Sequence, residues 1–175
     1  MKAFKLATAV AVSALMVSTA QAAGPFDTDN LYVGGGLSSN SLSGFDSAMG
    51  YQIFAGVPLA IDTGSVKSAV EVGYMNAGEF EKEVLAAGCI GGFCWPAQTA
   101  TFDAAGLWAN YVASMPINEQ VDVIGRVGLD FGDDDGLMYG IGAGYGINEQ
   151  MDVRGEYVVR DNINSLQVNL VYRML

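Results

Sequence analysis

The sequence predicts an all-β fold: a closed, eight-stranded antiparallel up-and-down β-barrel that spans a membrane, preceded by an export leader. Three observations carry the prediction. A segment near the C-terminus repeats with a hairpin-length period. Apolar and polar residues alternate in eight segments. After the leader, no stretch is apolar for long enough to form a transmembrane helix.

Residues 1–22 read as a signal peptide. Lys2 and Lys5 give a positive start, Leu6 to Val17 is apolar and uncharged, and Ala20-Gln21-Ala22 supplies a small-x-small cleavage site. The apolar run is too short to anchor in a bilayer, which needs about 20 residues. The mature chain, 23–175, is expected to form one domain.

Removing Lys2 and Lys5 leaves six basic residues against 19 acidic ones, a net charge of −13. Such a chain repels nucleic acid, and no basic stripe interrupts it. Its apolar content argues against disorder.

The strands are expected at 30–38, 47–58, 65–76, 100–115, 121–130, 136–146, 151–160 and 165–174. Ile117-Asn118-Glu119-Gln120-Val121-Asp122-Val123 returns as Ile147-Asn148-Glu149-Gln150-Met151-Asp152-Val153, 30 residues later. Two strands of about ten residues plus their connections fill that period. Each copy is a polar turn leading into an alternating strand. The connections at 59–64, 116–120 and 147–150 are short. Longer loops are expected at the other end, at 38–46 and above all at 77–99. The fourth strand is ambiguous, because both its faces are similarly apolar.

The facing follows from the charges. Lys67, Glu71, Asp122, Arg126, Asp152, Arg154, Glu156 and Arg173 fall on the polar faces and mix both signs. Bare basic groups facing lipid would cost about 2–4 kcal/mol each at mid-bilayer, whereas inside a closed barrel opposite charges can pair. The other faces carry aliphatic residues, with Tyr74, Trp108 or Tyr111, Tyr139, Tyr145, Tyr157 and Tyr172 toward strand ends, where amphipathic rings suit the headgroup level. Gly34-Gly35-Gly36 and Gly140, Gly142 and Gly144 suit a crowded interior. A soluble periplasmic carrier would require the reverse facing.

The ending Asn164-Ser165-Leu166-Gln167-Val168-Asn169-Leu170-Val171-Tyr172-Arg173-Met174 resembles the last strand of the OmpA-type barrel. So does Met151-Asp152-Val153-Arg154-Gly155-Glu156-Tyr157, with its inward arginine. The chain is similar to the small OmpA-like, or opacity-like, outer-membrane β-barrel group. The layout matches throughout the mature chain, and the specific residues lie mainly in its C-terminal third. The resemblance implies the bacterial outer membrane, contact with its lipid and lipopolysaccharide, and insertion by the barrel-assembly machinery. Leu166, Val168, Leu170, Tyr172 and Met174 would form the assembly-signal strand. Two departures stand out. Met174 occupies the place where the family has phenylalanine, with Leu175 behind it, and the barrel is expected to carry no peptidoglycan-binding domain.

The chemistry-bearing motifs are weak. Cys89 and Cys94 are the only cysteines; an exported chain favours a disulfide between them, with a redox-active pair as the alternative. Asp130-Phe131-Gly132 has no kinase context. Asp133-Asp134-Asp135-Gly136 fails the EF-hand spacing and reads as a solvated loop. Gly140-x-Gly142-x-Gly144 opens no helix, so it is no dinucleotide loop. The sequence contains no histidine, the base on which lipid-A-modifying barrels rely. No catalytic residue, metal site or cofactor is expected. The expected function is a non-enzymatic barrel for envelope integrity, with surface loops for adhesive or other contacts. The alternative is a narrow porin-like channel for small solutes or ions.

Overall fold

A computed structural model describes residues 25–61, 64–91 and 93–174. The leader expected over 1–22 and the terminal Leu175 lie outside the described residues. Among the described residues, a short 3-10 turn, Thr28–Asn30, precedes ten strands. These are β1 (Tyr32–Leu42), β2 (Ala48–Leu59), β3 (Lys67–Leu85), β4 (Gly88–Ile90), β5 (Phe93–Trp95), β6 (Gln98–Pro116), β7 (Val121–Gly132), β8 (Gly136–Gly146), β9 (Met151–Val159) and β10 (Ile163–Arg173). Eight of them close an antiparallel barrel in the order β1-β2-β3-β6-β7-β8-β9-β10, with β10 paired back onto β1. The remaining two, β4 and β5, form a small separate hairpin.

Closure leaves no sheet edge around the wall, which is what a β-structure in lipid requires. The register fixes the shape. A circuit of paired residues from Asn40 runs through Ser165, Val158, Gly140, Arg126, Val112 and Ala69 to Pro58. Pro58 lies two residues beyond Gly56, the partner of Tyr32, so the circuit returns ten residues lower on β1. At about 3.3 Å per residue and 4.8 Å between strands, that stagger tilts the strands by about 40°.

The repeated segments build two equivalent turns. Asn118 Oδ1 accepts from the backbone N–H groups of Gln120 and Val121, and Asn148 Oδ1 accepts from that of Gln150, all at 2.9 Å. In the same way Ile117 N–H donates to Val121 O and Ile147 N–H to Met151 O, each at 2.8 Å. An asparagine side chain that satisfies the backbone ahead of it is what nucleates such a turn.

The structure corrects two expectations about the elements and decides one point that the sequence leaves open. The segment 77–99 is not chiefly a loop. β3 runs on to Leu85 and β6 starts at Gln98, so the two project together beyond the barrel. The connections at 43–47, 133–135 and 160–162 are as short as the turns at the opposite end, so the expected contrast between long and short connections rests on this one hairpin. The facing of the fourth wall strand, β6, is resolved as well. Ala104, Trp108, Asn110 and Val112 point inward and are buried, while Tyr111 points outward. Trp108 is only 1% exposed and does not belong to the outer aromatic set.

The outer face is apolar. Leu37, Ile53, Leu129, Ile141, Leu166 and Val168 are exposed along it, with Tyr51, Tyr139, Tyr145, Tyr157 and Tyr172 among them. Leu170 and Met174 continue this face along β10 and just past its end.

Candidate functional site

The lumen is packed with side chains, and the packing begins with glycine. Gly34 faces Phe54, Gly56 faces Tyr32, and Gly73 faces Trp108, each pair directly opposed on neighbouring strands. A Cβ on any of these glycines would come within 2.5 Å of the opposing ring. The missing side chains thus leave room for three aromatic rings in a narrow tube. The rings of Phe54 and Trp108 lie 5.7 Å apart. Gly35, by contrast, belongs to the outward-facing set.

The charged groups fall into three tiers. In the middle, Glu71 accepts from the Tyr32 hydroxyl at 2.8 Å and from Arg154 Nη1 at 2.6 Å, and lies 3.3 Å from Arg126 Nη2. Arg126 Nη2 also lies 2.5 Å from Glu156 Oε2. The two guanidinium groups stack on aromatic faces, Arg126 over Trp108 at 5.6 Å and Arg154 over Tyr32 at 5.1 Å. Nearby, Gln52 Nε2 donates to Asn169 Oδ1 at 2.8 Å, and Asn169 Nδ2 donates to Glu156 at 3.4 Å. Toward the turn end, Arg173 pairs with Asp152. Lys67 and Asp122 line the open mouth there, around a cavity of about 500 Å³, and take no part in the ion pairs of the tier above.

The third tier was missed by sequence reasoning. Arg160 Nε donates to Asp130 Oδ2 at 2.8 Å, and Arg160 Nη1 donates to Ser165 Oγ at 2.8 Å. All three residues are buried. Asp130 and Arg160 are themselves one repeat apart, and that offset was the signal available in the sequence. Among the described residues, five acids and five bases of these three tiers thus face the lumen, so their formal charges balance, while the buried Asp134 adds one acid in the turn at the loop end.

An apolar layer lies above the upper tier. Ala48, Ala77, Phe80, Ala104 and Ile163 are all buried there. Phe80 reaches it because of a register shift between Asn76 and Gly78. Gly78 adopts φ +88°, a conformation that favours glycine and marks a β-bulge. The bulge inserts one residue, so Ala77 and Phe80 both turn inward.

Beyond this layer the β3–β6 hairpin carries Cys89 and Cys94, which are directly paired across β4 and β5 and joined by a disulfide. Trp95 Nε1 donates to Ala86 O at 3.0 Å. Among the described residues, no group of three or more metal-ligating side chains converges on one point.

The family described as outer membrane protein beta-barrel domain matches residues 7–173. The chain belongs to that family. It is therefore a bacterial outer-membrane protein, and its apolar belt faces lipid. The barrel is similar in fold to that of the outer membrane protein Ail of Yersinia pestis, determined in a phospholipid bilayer nanodisc. The TM-score is 0.56 at 12% identity, covering 83% of this chain and 99% of that one. A de novo designed transmembrane β-barrel gives 0.54 at 13% identity, over 85% and 98%. Neisserial surface protein A gives 0.48 at 14% identity, over 88% and 99%. No curated protein matches the sequence. The family match supports the resemblance read from the C-terminal strands at the level of the outer-membrane barrel domain.

Proposed function

We propose that this family member is a non-enzymatic, non-conducting barrel that contributes to envelope integrity and makes contacts at the cell surface through its projecting hairpin. The observation that carries the reading is the filled lumen. Tyr32, Phe54, Trp108, Arg126, Glu71 and Glu156 are all buried in its middle, and Phe80 and Ile163 are buried above them. Eight strands enclose a bore that side chains can fill, and here they do. The narrow-channel alternative would need a continuous aqueous path through that packing.

The same reading assigns the partners. The apolar belt meets lipid, with lipopolysaccharide in the outer leaflet. The barrel-assembly machinery would engage β10, the strand that closes the wall by pairing with both β1 and β9.

Single-channel recording on purified protein in planar bilayers tests the closed lumen. The expected record is flat, and steady unitary steps would transfer the assignment to the channel. Outer-membrane fractionation with heat-modifiable gel mobility tests the barrel itself in cells.

A further inference from the structure

The net negative charge of this protein is not in its wall. The three tiers in the lumen balance, so the excess acids lie at the two ends. At the loop end one group of them lies on the β3–β6 stem, where Glu79, Glu81 and Glu83 alternate along one face opposite Asp103, Thr101 and Thr99. Glu79 stands directly across from Asp103. Like charges placed so oppose the pairing of their own strands, and a cation seated between them would relieve this. Lys82 does not serve, because it turns to the opposite face and lies 5.6 Å over the Phe45 ring.

The tip adds an apolar surface. Ile90 and Phe93 are 75% and 73% exposed, the highest values among the large hydrophobic residues described. They pair directly across β4 and β5, so they share a face of the small hairpin, with the disulfide on the other. Trp95 falls on the same face as Phe93, and their rings lie 6.5 Å apart. The five residues from Glu81 to Leu85 carry the hairpin about 16 Å along the strand beyond Phe80, the last buried residue of β3. These groups therefore stand clear of the lipid that covers the other exposed aliphatic residues.

We propose that the hairpin docks a basic protein segment bearing apolar side chains, its stem taking the charges and its disulfide-closed tip the apolar groups. The proposal deepens the contact role given above. The occupant follows from charge complementarity: an acidic stem rejects anionic surfaces, and a tip held closed loses little freedom on binding.

The test uses the full mature barrel in phosphatidylcholine nanodiscs and a synthetic peptide of alternating lysine and leucine. Fluorescence reports binding, since Trp95 sits in the hairpin and Trp108 is enclosed in the lumen. The expected result is a saturable change, absent with empty nanodiscs, whose affinity falls at least about tenfold from low to high salt. The double variant Ile90→Ser/Phe93→Ser is expected to weaken binding about tenfold. The triple variant Glu79→Gln/Glu81→Gln/Glu83→Gln is expected to remove most of the salt dependence. No binding above empty nanodiscs, equal binding of a glutamate–leucine peptide, or parental affinity in the tip variant would each overturn the proposal. Heat-modifiable mobility reports folding of every variant. Single-channel silence is measured separately, so failure here leaves the closed-barrel reading standing.

Discussion

Arg126 Nη2 lies 2.5 Å from Glu156 Oε2 and 3.3 Å from Glu71 Oε2, with all three side chains fully enclosed. One guanidinium thus holds two carboxylates in the centre of a tube inside the membrane. Removing it does not remove their charge. Arg126→Met is expected to destabilise the barrel by about 3–5 kcal/mol, the usual penalty for stranding a buried partner. Glu71 retains Arg154 and Tyr32, so most of the loss should fall on Glu156. Adding Glu156→Gln should recover part of it. Urea unfolding of the folded protein in lipid vesicles measures both, and an unchanged midpoint in the single variant would contradict the pairing.

The contact between Gly34 and Phe54 makes a second test. All three atoms nearest to a Cβ at residue 34 belong to the Phe54 ring, the closest at 2.3 Å. Gly34→Ala is expected to cost about 1–3 kcal/mol through overpacking. Phe54→Leu in the same background should return much of that, giving a coupling energy of opposite sign to the single losses. Additive losses would mean that the ring is not the obstacle.

The disulfide is expected to act locally. Cys89 and Cys94 sit on the small hairpin, outside the closed wall. Cys89→Ser/Cys94→Ser should leave the unfolding midpoint of the barrel unchanged. It should free the tip, since a loop of this size is tied down by about 2 kcal/mol. Faster proteolysis between Leu85 and Gln98 with intact heat-modifiable mobility is the outcome to look for.

The two repeated turns give an internal comparison. Asn118 Oδ1 holds two backbone N–H groups, those of Gln120 and Val121, whereas Asn148 Oδ1 holds that of Gln150. Asn118→Ala should therefore cost about 1 kcal/mol and exceed Asn148→Ala. Paired unfolding curves would show whether the order holds.

The barrel wall was legible from sequence because its physics is periodic. In β7, Val121, Val123, Val127 and Leu129 face lipid while Asp122 and Arg126 face inward, an alternation written directly in the residues. The same logic failed in β6, where the inward Trp108 and Val112 are as apolar as the outward Tyr111. An inward ring is possible there only because Gly73 lies opposite, and that pairing needs the register. The hairpin was hidden for a different reason. Gly78 shifts the parity of the strand, so acids that alternate on a projecting stem look like a solvated loop. Asp130 and Arg160 sit at strand ends beside turns, where a charge is usually solvated; they meet on the inner face across β8, to which β7 and β9 both pair.

The ten-residue stagger also acts on the lipid. A strand of 11 residues such as β10, tilted by about 40°, reaches about 28 Å in height, close to the apolar band of about 25 Å typical of such barrels. The protein is therefore a ruler cut for a thin bilayer. In a thicker one the surrounding lipid must compress against the wall, at fractions of a kcal/mol per ångström. Neighbouring copies that share one compressed annulus deform less membrane than copies that stand apart.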